Sequence, residues 1–525
     1  MKLIGEHTRI NRLNTSPSCS HNTDTHHGAF RSVSSPNMSR SAHPIVWPML
    51  RDKRDDTDHA GARAGGWMPP EVRALASPAA AALPRHTTIC ARFRAGAAPG
   101  GTVIPGAIRP TASDNPGDAA PLLIGVAGEW YDVSRFVHAH PGGDVLLEFV
   151  GQDATAQFLA FHDPKELNRV PRRGSGYAWD RTAPNGDPLD GEWLRLHGEF
   201  TDQGLFETDF CWVARQFVLV TMLLVGAVAG AACSSSSFVA LVFGAVCLGG
   251  FWQQCGFLMH DFMHCQVFHS QRVDQHLGWL FGTVGFGVSG RWWRDEHHEH
   301  HLFVNTVEPG VGAADPSAPE DVWCQSPRMF EFWKRPWLLA AVLKVQHVLF
   351  VPILIFAGPI ALKMASVTTE RRPVELAGLA LHVVWVGCLL SLLPTPATAF
   401  LFLFLSSMAV GVLEIQLLVS HYANDFVSKE DSKSGGWMRR QLGALTDIET
   451  DPTMDWFHGG LNMHSPHHLF PRMPRHHFRR AQAEIRAACA KHGVVVDSKP
   501  LGAAVVAVIQ HLAKMDELFD LDPRG

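Results

Sequence analysis

The chain has 525 residues, 46 per cent of them apolar, with 45 Lys and Arg against 50 Asp and Glu and a formal net charge of -5. That length calls for more than one domain, and a slightly acidic balance without any base-reading motif argues against nucleic acid as a partner. Ten cysteines without a CxxC pair argue against a disulfide framework and a thiolate metal site, and fit reduced, cytosol-facing thiols.

Residues 1–118 are rich in Ser, Thr, Arg, Pro, Ala and Gly without sustained apolar periodicity, which predicts disorder. They hold no apolar signal-peptide core. Their plentiful Arg and Ser leave an organellar transit peptide open, although the run Arg51-Asp52-Lys53-Arg54-Asp55-Asp56 is more acidic than such peptides usually are and favours a plain tail or an over-extended start.

From Leu122 the chain reads as a strand, a glycine turn and a second strand, leading into His140-Pro141-Gly142-Gly143. With Tyr131-Asp132-Val133, Gly151-Gln-Asp-Ala-Thr and Phe158-Leu-Ala-Phe161-His162, this stretch resembles a cytochrome b5 domain. The resemblance implies a haem b held axially by His140 and His162. Two imidazoles closing on opposite faces of the iron leave no position for O2, so such a haem passes single electrons.

Long apolar runs follow. Residues 213–232, 238–259, 374–393 and 397–420 are each long enough to cross a bilayer, whereas 277–289 is Gly-rich, too short to cross, and predicted to dip or pack. The run 337–362 is interrupted by Lys344, Gln346 and His347, and a charge at mid-bilayer costs at least about 2.5–3.5 kcal/mol, so it is predicted to lie along the interface. Four spans place two short uncharged loops on one side. All histidine clusters, with Lys334, Arg335, Arg371, Arg372, Arg439 and Arg440, fall on the other, which the positive-inside rule makes cytosolic.

Three clusters carry the candidate chemistry: His260 and His264; His297, His300 and His301; and His464, His467 and His468. Spacings of i, i+3 and i+4 gather imidazoles on one helical face. Eight histidines exceed the four ligands of one tetrahedral zinc but suit two ions with open positions. Asp261 is placed to orient a neighbouring ligand. The His-Glu-x-x-His pattern of zinc peptidases is absent, since His298-Glu299 is followed by His300-His301-Leu302. In the third cluster Pro466 suits the first helical position with Ser465 as cap, which predicts that His464 lies before the helix.

These boxes, with Phe457-His-Gly-Gly-Leu before the last and Leu469-Phe-Pro-Arg-Met-Pro-Arg after it, resemble the membrane fatty acid desaturases. Fusion to a b5 domain narrows the resemblance, over about residues 121–490, to the front-end desaturases, which include acyl and Δ8 sphingolipid enzymes. Front-end members usually have Gln where this chain has His464, and the wider desaturase pattern has His, so both a ligand and a supporting role stand for it. His421, in Val419-Ser-His-Tyr, resembles a further ligand position.

The fold implied is a small α+β cytochrome b5-like haem domain with its linker (119–190), then an all-α membrane desaturase domain (191–490) with four transmembrane helices and a cytosolic histidine-rich cap, and a helical tail (491–525). The resemblance further implies two Fe ions held by the eight histidines and His421, with no catalytic residue apart from the metal ligands. An alkyl C–H has no acidity for a general base to exploit, so a redox metal acting with O2 is required. The implied partners are a lipid chain on CoA, phospholipid or sphingolipid, O2, and an NADH-cytochrome b5 reductase. The implied location is the endoplasmic reticulum membrane, multi-pass, with the haem domain and boxes cytosolic. A b5-fused di-iron lipid hydroxylase and a non-enzymatic haem- or metal-binding membrane protein share the same residues.

Overall fold

The computed structural model describes residues 121–520, apart from short breaks at 174–175, 309–311, 319–321, 334–335, 429–430 and 432–434. The predicted disorder of 1–118 and the flanking Lys334 and Arg335 lie outside the described residues.

The chain opens with an antiparallel hairpin, β1 (Leu123–Val126) against β2 (Glu129–Asp132), in the register Ile124 opposite Tyr131. Ala127 (φ +51°) and Gly128 (φ +84°) form its two-residue turn, the left-handed pair that matches strand twist. Helix α1 (Thr155–Phe161) starts where Asp153 accepts the Thr155 amide at 2.8 Å. Ile124, Val126, Val133, Phe149 and Ala154 form a core that also takes in Phe303 and Ala314, so this small unit is docked through shared apolar packing.

Helix α2 (Pro188–Asp202) has Asp187 as cap and Pro188 at its first position. Two long antiparallel helices follow, α3 (Phe210–Ala232) and α4 (Phe238–Met263), and Ser237 caps the second by accepting from Ala240. They approach closely at Gly230 and Gly244: a Cβ on Gly230 would lie 2.4 Å from the Gly244 Cα. Small residues permit such contact where no aqueous hydrophobic effect drives association.

The apolar stretch predicted to pack does so. Helix α5 (Gln271–Gly278) runs into a π-helical segment, Trp279–Phe286, that ends at Gly287 (φ +86°), where a Cβ would strike the His382 ring. Helix α6 (Gly290–Phe303) follows, with Ser289 as cap. Then come α7 (Pro336–Phe356), α8 (Gly358–Thr369), α9 (Pro373–Leu390) and α10 (Pro396–Leu418).

Among the described residues five helices are long and apolar enough to cross a membrane, α3, α4, α7, α9 and α10, where the sequence predicts four. The additional one is α7. Its polar residues do not interrupt it, because Lys344 is exposed and the buried Gln346 is satisfied, accepting from Cys324 N and donating to Cys324 O and Leu512 O, each at 3.0 Å. The chain closes with α11 (Trp437–Gly443), α12 (His464–Leu469), α13 (Phe478–Lys491) and α14 (Leu501–Asp520), the last packed along α7.

Gly230→Ala is expected to lower the thermal midpoint in detergent by several degrees, because the methyl must push α3 and α4 apart. Gly387→Ala, where a Cβ meets nothing within 4 Å, should hold or slightly raise the midpoint through its better helix propensity.

Candidate metal centre

Four segments deliver the imidazoles. Helix α4 carries His260 and is capped by His264, their rings 4.7 Å apart. Helix α6 carries His297, His300 and His301, and the turn after α10 carries His421. Short α12 carries His464, His467 and His468, all buried.

Helix α12 begins two residues earlier than predicted. His464 is its first residue, so Pro466 is the third, where a missing N–H is still one of the unpaired donors of a helix start. The cap comes from elsewhere in the chain: Asp447 accepts both the Ser465 amide and the Ser465 hydroxyl at 2.8 Å. His464 is thereby held inside the cluster, its Nε2 2.8 Å from His421 Nε2.

Ligand-capable nitrogens gather in three overlapping sets: His260, His264, His297 and His467; His300, His421 and His468; and His301, His467 and His468. Nε2 atoms of His260 and His467, and of His297 and His301, lie 3.1 Å apart. Two nitrogens bound at right angles to one ion, each at about 2.1 Å, would be about 3.0 Å apart.

The second set is oriented by hydrogen bonds at Nδ1. His300 Nδ1 lies 2.9 Å from Asp315 Oδ1, and His468 Nδ1 lies 3.0 Å from Gln441 Oε1. His421 Nδ1 lies 3.2 Å from the Ala444 carbonyl, and His464 Nδ1 lies 3.1 Å from the Leu461 carbonyl. Each of these oxygens accepts, so each imidazole holds its proton at Nδ1 and presents a bare Nε2. Gln441 also donates to His301 O at 2.8 Å, bridging α6 and α12. The Asp261 expectation is modified: its Oδ1 is 3.6 Å from His260 Nδ1, beyond hydrogen-bond range, and its Oδ2 pairs with the buried Arg475 at 3.1 Å.

Burial, and then the neighbouring imidazoles, hold His297, His301, His421, His467 and His468 well below the usual histidine range. Burial takes His464 down to about 3. All six are therefore neutral at physiological pH, the form that ligates metal. Buried His264 Nδ1 and Nε2, His301 Nδ1, His467 Nδ1 and His468 Nε2 have no hydrogen-bond partner. An unsatisfied buried polar atom costs about 1–3 kcal/mol, so these orphans fit a centre completed by metal.

In the small unit the His140 and His162 rings are 5.9 Å apart, and Phe158 stacks on His162 at 5.2 Å. Two metal–nitrogen bonds of about 2 Å plus the ring radii amount to about 6 Å, so the pair fits one iron between them. Gly142 allows a close approach, since a Cβ there would lie 2.9 Å from His140 Cε1, and Gly143 takes φ +63°. Burial pushes His162 down to about 4 and also lowers His140, leaving both neutral.

A fatty acid desaturase model matches residues 236–500, half of the chain. The chain belongs to the fatty acid desaturase family. A cytochrome b5-like haem/steroid-binding domain model matches residues 112–195. The chain is 28% identical over 399 residues to Delta(8)-fatty-acid desaturase 2 of Arabidopsis thaliana, covering 73% of this chain and 86% of that one. It is 28% identical over 395 residues to an acyl-lipid (9-3)-desaturase of Borago officinalis, covering 73% and 86%. To a Delta 8-(E)-sphingolipid desaturase of Kluyveromyces lactis it is 30% identical over 366 residues, covering 63% of this chain and 61% of the relative. This desaturase is an oxidoreductase whose family implies di-iron chemistry and whose amino-terminal domain implies haem.

The structure adds Asp315, Gln441, Asp447 and Arg475 to the histidines named by sequence. No local pattern marks Asp315, Gln441 and Asp447, whereas Arg475 closes the Leu469-Phe-Pro-Arg-Met-Pro-Arg stretch. His298 turns its ring onto Phe161 at 5.4 Å and lies 5.3 Å from the His264 ring.

Gln441→Leu removes the acceptor for His468 and the donor to His301 together. Chelator competition should show metal affinity reduced about 10–100-fold, as for other losses of ligand-orienting partners.

Proposed function

We propose that this chain is a front-end lipid desaturase that introduces a double bond into a fatty acyl or sphingoid chain, eight carbons from the head end, at two irons held by the histidine cluster. One ion would be held among His260, His264, His297 and His467, and the other among His300, His421, His464 and His468, with His301 between the two. When bound, the irons supply O2 activation and one-electron redox chemistry, which an unactivated C–H bond demands. The observation that carries the reading is the set of buried, neutral imidazoles with orphaned nitrogens: it offers a nitrogen-rich site without a carboxylate ligand, and no proton-transfer task uses so many histidines.

The chain's own residues prepare that site. Asp315, Gln441 and the carbonyls of Leu461 and Ala444 hold four Nδ1 protons outward. Asp447 and Arg475 fix the segments that bear the third box. The apolar surroundings exclude water, so the reactive centre meets lipid rather than solvent. His140 and His162 would hold the haem through which electrons from a reductase enter.

The Δ8 position and the sphingoid alternative rest on what the relatives are called, including those of Arabidopsis thaliana and Kluyveromyces lactis. For topology, we propose that α3, α4, α9 and α10 cross the endoplasmic reticulum membrane while α7 lies along it, because an even number of crossings between the second and third boxes keeps both on one side. The proposed layout keeps the haem domain and linker at 119–190 and the desaturase domain at 191–490.

Expression in a host lacking this activity, followed by fatty-acid and long-chain-base profiling, tests the reading. A new product two mass units lighter than its precursor, with the double bond at position eight, is expected. His468→Ala should abolish it and lose iron, and His464→Gln should lose most of it, since His464 is packed against His421 inside the cluster. A product sixteen mass units heavier would instead mean hydroxylation.

A further inference from the structure

A chain of aromatic contacts joins the small unit to the histidine cluster. Phe161 is the last residue of α1 and is covalently next to His162. Its ring lies 5.4 Å from the His298 ring and 6.1 Å, edge-on, from the His301 ring. His298 is itself 5.3 Å from His264. Nearby, Phe149 stacks on Phe303 at 6.4 Å with the planes 12° apart, and Ala156 and Ala160 pack into the core built around Trp193 and Phe470. Beside His140, Gly142, Gly143 and Asp144 are exposed. One docked arrangement therefore offers a solvent-facing entry side and a packed exit side.

We propose that Phe161 is the positioning residue that couples the two redox sites, with His298 as its contact on the desaturase side, so that the b5-like unit delivers electrons from this docked position without swinging away between transfers. The inference rests on the proposed reading that His140 and His162 hold a haem and that the nine-histidine cluster holds iron. Each transfer across Phe161 oxidises one ferrous haem and reduces one cluster iron from ferric to ferrous. Two such transfers with two protons, together with two hydrogens taken from the lipid, carry one O2 to two waters. The source of the electrons is a reductase using a nicotinamide nucleotide.

Electron tunnelling falls steeply across gaps and less steeply through bonded and closely packed atoms. Phe161 supplies such packing on a path of one covalent step and one ring contact. His298 has a suitable place for this task and a weak claim to ligation, since it stands outside the three nitrogen sets.

The test uses the full chain in lipid nanodiscs with substrate, its haem reduced anaerobically by reductase and limiting NADH, then mixed with O2 while haem absorbance is followed. Phe161→Leu should leave the haem spectrum and iron content unchanged and slow haem reoxidation about tenfold or more. Phe161→Tyr should restore the rate, and Phe161→Met repeats the test should the leucine variant bind haem poorly. An unchanged rate in Phe161→Leu with iron intact overturns the assignment of Phe161 and leaves the desaturase reading standing. Reoxidation of the unsubstituted protein that is no faster than in iron-free His468→Ala overturns the electron-entry reading itself, and this inference with it.

Discussion

Everything in the membrane-facing part of this protein depends on keeping many imidazoles buried, neutral and close together. Protonation would set positive charges a few ångströms apart in an apolar interior, and burial holds the titration of His297, His301, His421, His464, His467 and His468 far below neutrality. Neutral rings still need partners for two nitrogens each. The fold supplies fixed oxygens at Nδ1 for four of the rings, His300, His421, His464 and His468. Fixing Nδ1 also fixes the ring plane, so the same hydrogen bonds that satisfy the buried rings set where an ion is held.

The long helices bring these rings together. α4 continues past its apolar body without a break, so His260 and His264 emerge at its end rather than on a loop. α6 crosses beside it, anchored at its cap where Ser289 donates to Glu370 Oε2 at 2.6 Å, and along its length by Asp295 paired with Arg372 at 2.7 Å. The third box depends on contacts distant in sequence: Asp190 accepts from the Trp437 and Met438 amides at 2.9 Å and so starts the helix that carries Gln441. Trp193 donates to the Leu469 carbonyl at 3.0 Å, closing the end of α12. The segment just after the haem-type unit is thus part of the frame of the metal centre.

Much of this was legible in the sequence where the signal is local. The hairpin at Ala127-Gly128, the His140-Pro-Gly-Gly turn, four of the apolar helices and the i, i+3, i+4 histidine spacings each follow from residues close together in the chain. What was not legible depends on partners far away. Pro466 looks like a first helical residue until Asp447 is seen holding Ser465 just before it, and the polar residues of α7 look like an interruption until Cys324 and Leu512 are seen around Gln346. Asp315 and Gln441 carry no motif, because their role is defined only by the imidazole each one meets.

We propose that the histidine cluster is a two-iron site separate from the haem. The most direct measurement is the count of non-haem iron per chain in the full-length protein purified in lipid, with haem iron determined from its absorbance and subtracted. Two non-haem irons per chain are predicted alongside one haem. One iron or none, or stoichiometric zinc in a protein that still desaturates lipid, would contradict a two-iron centre.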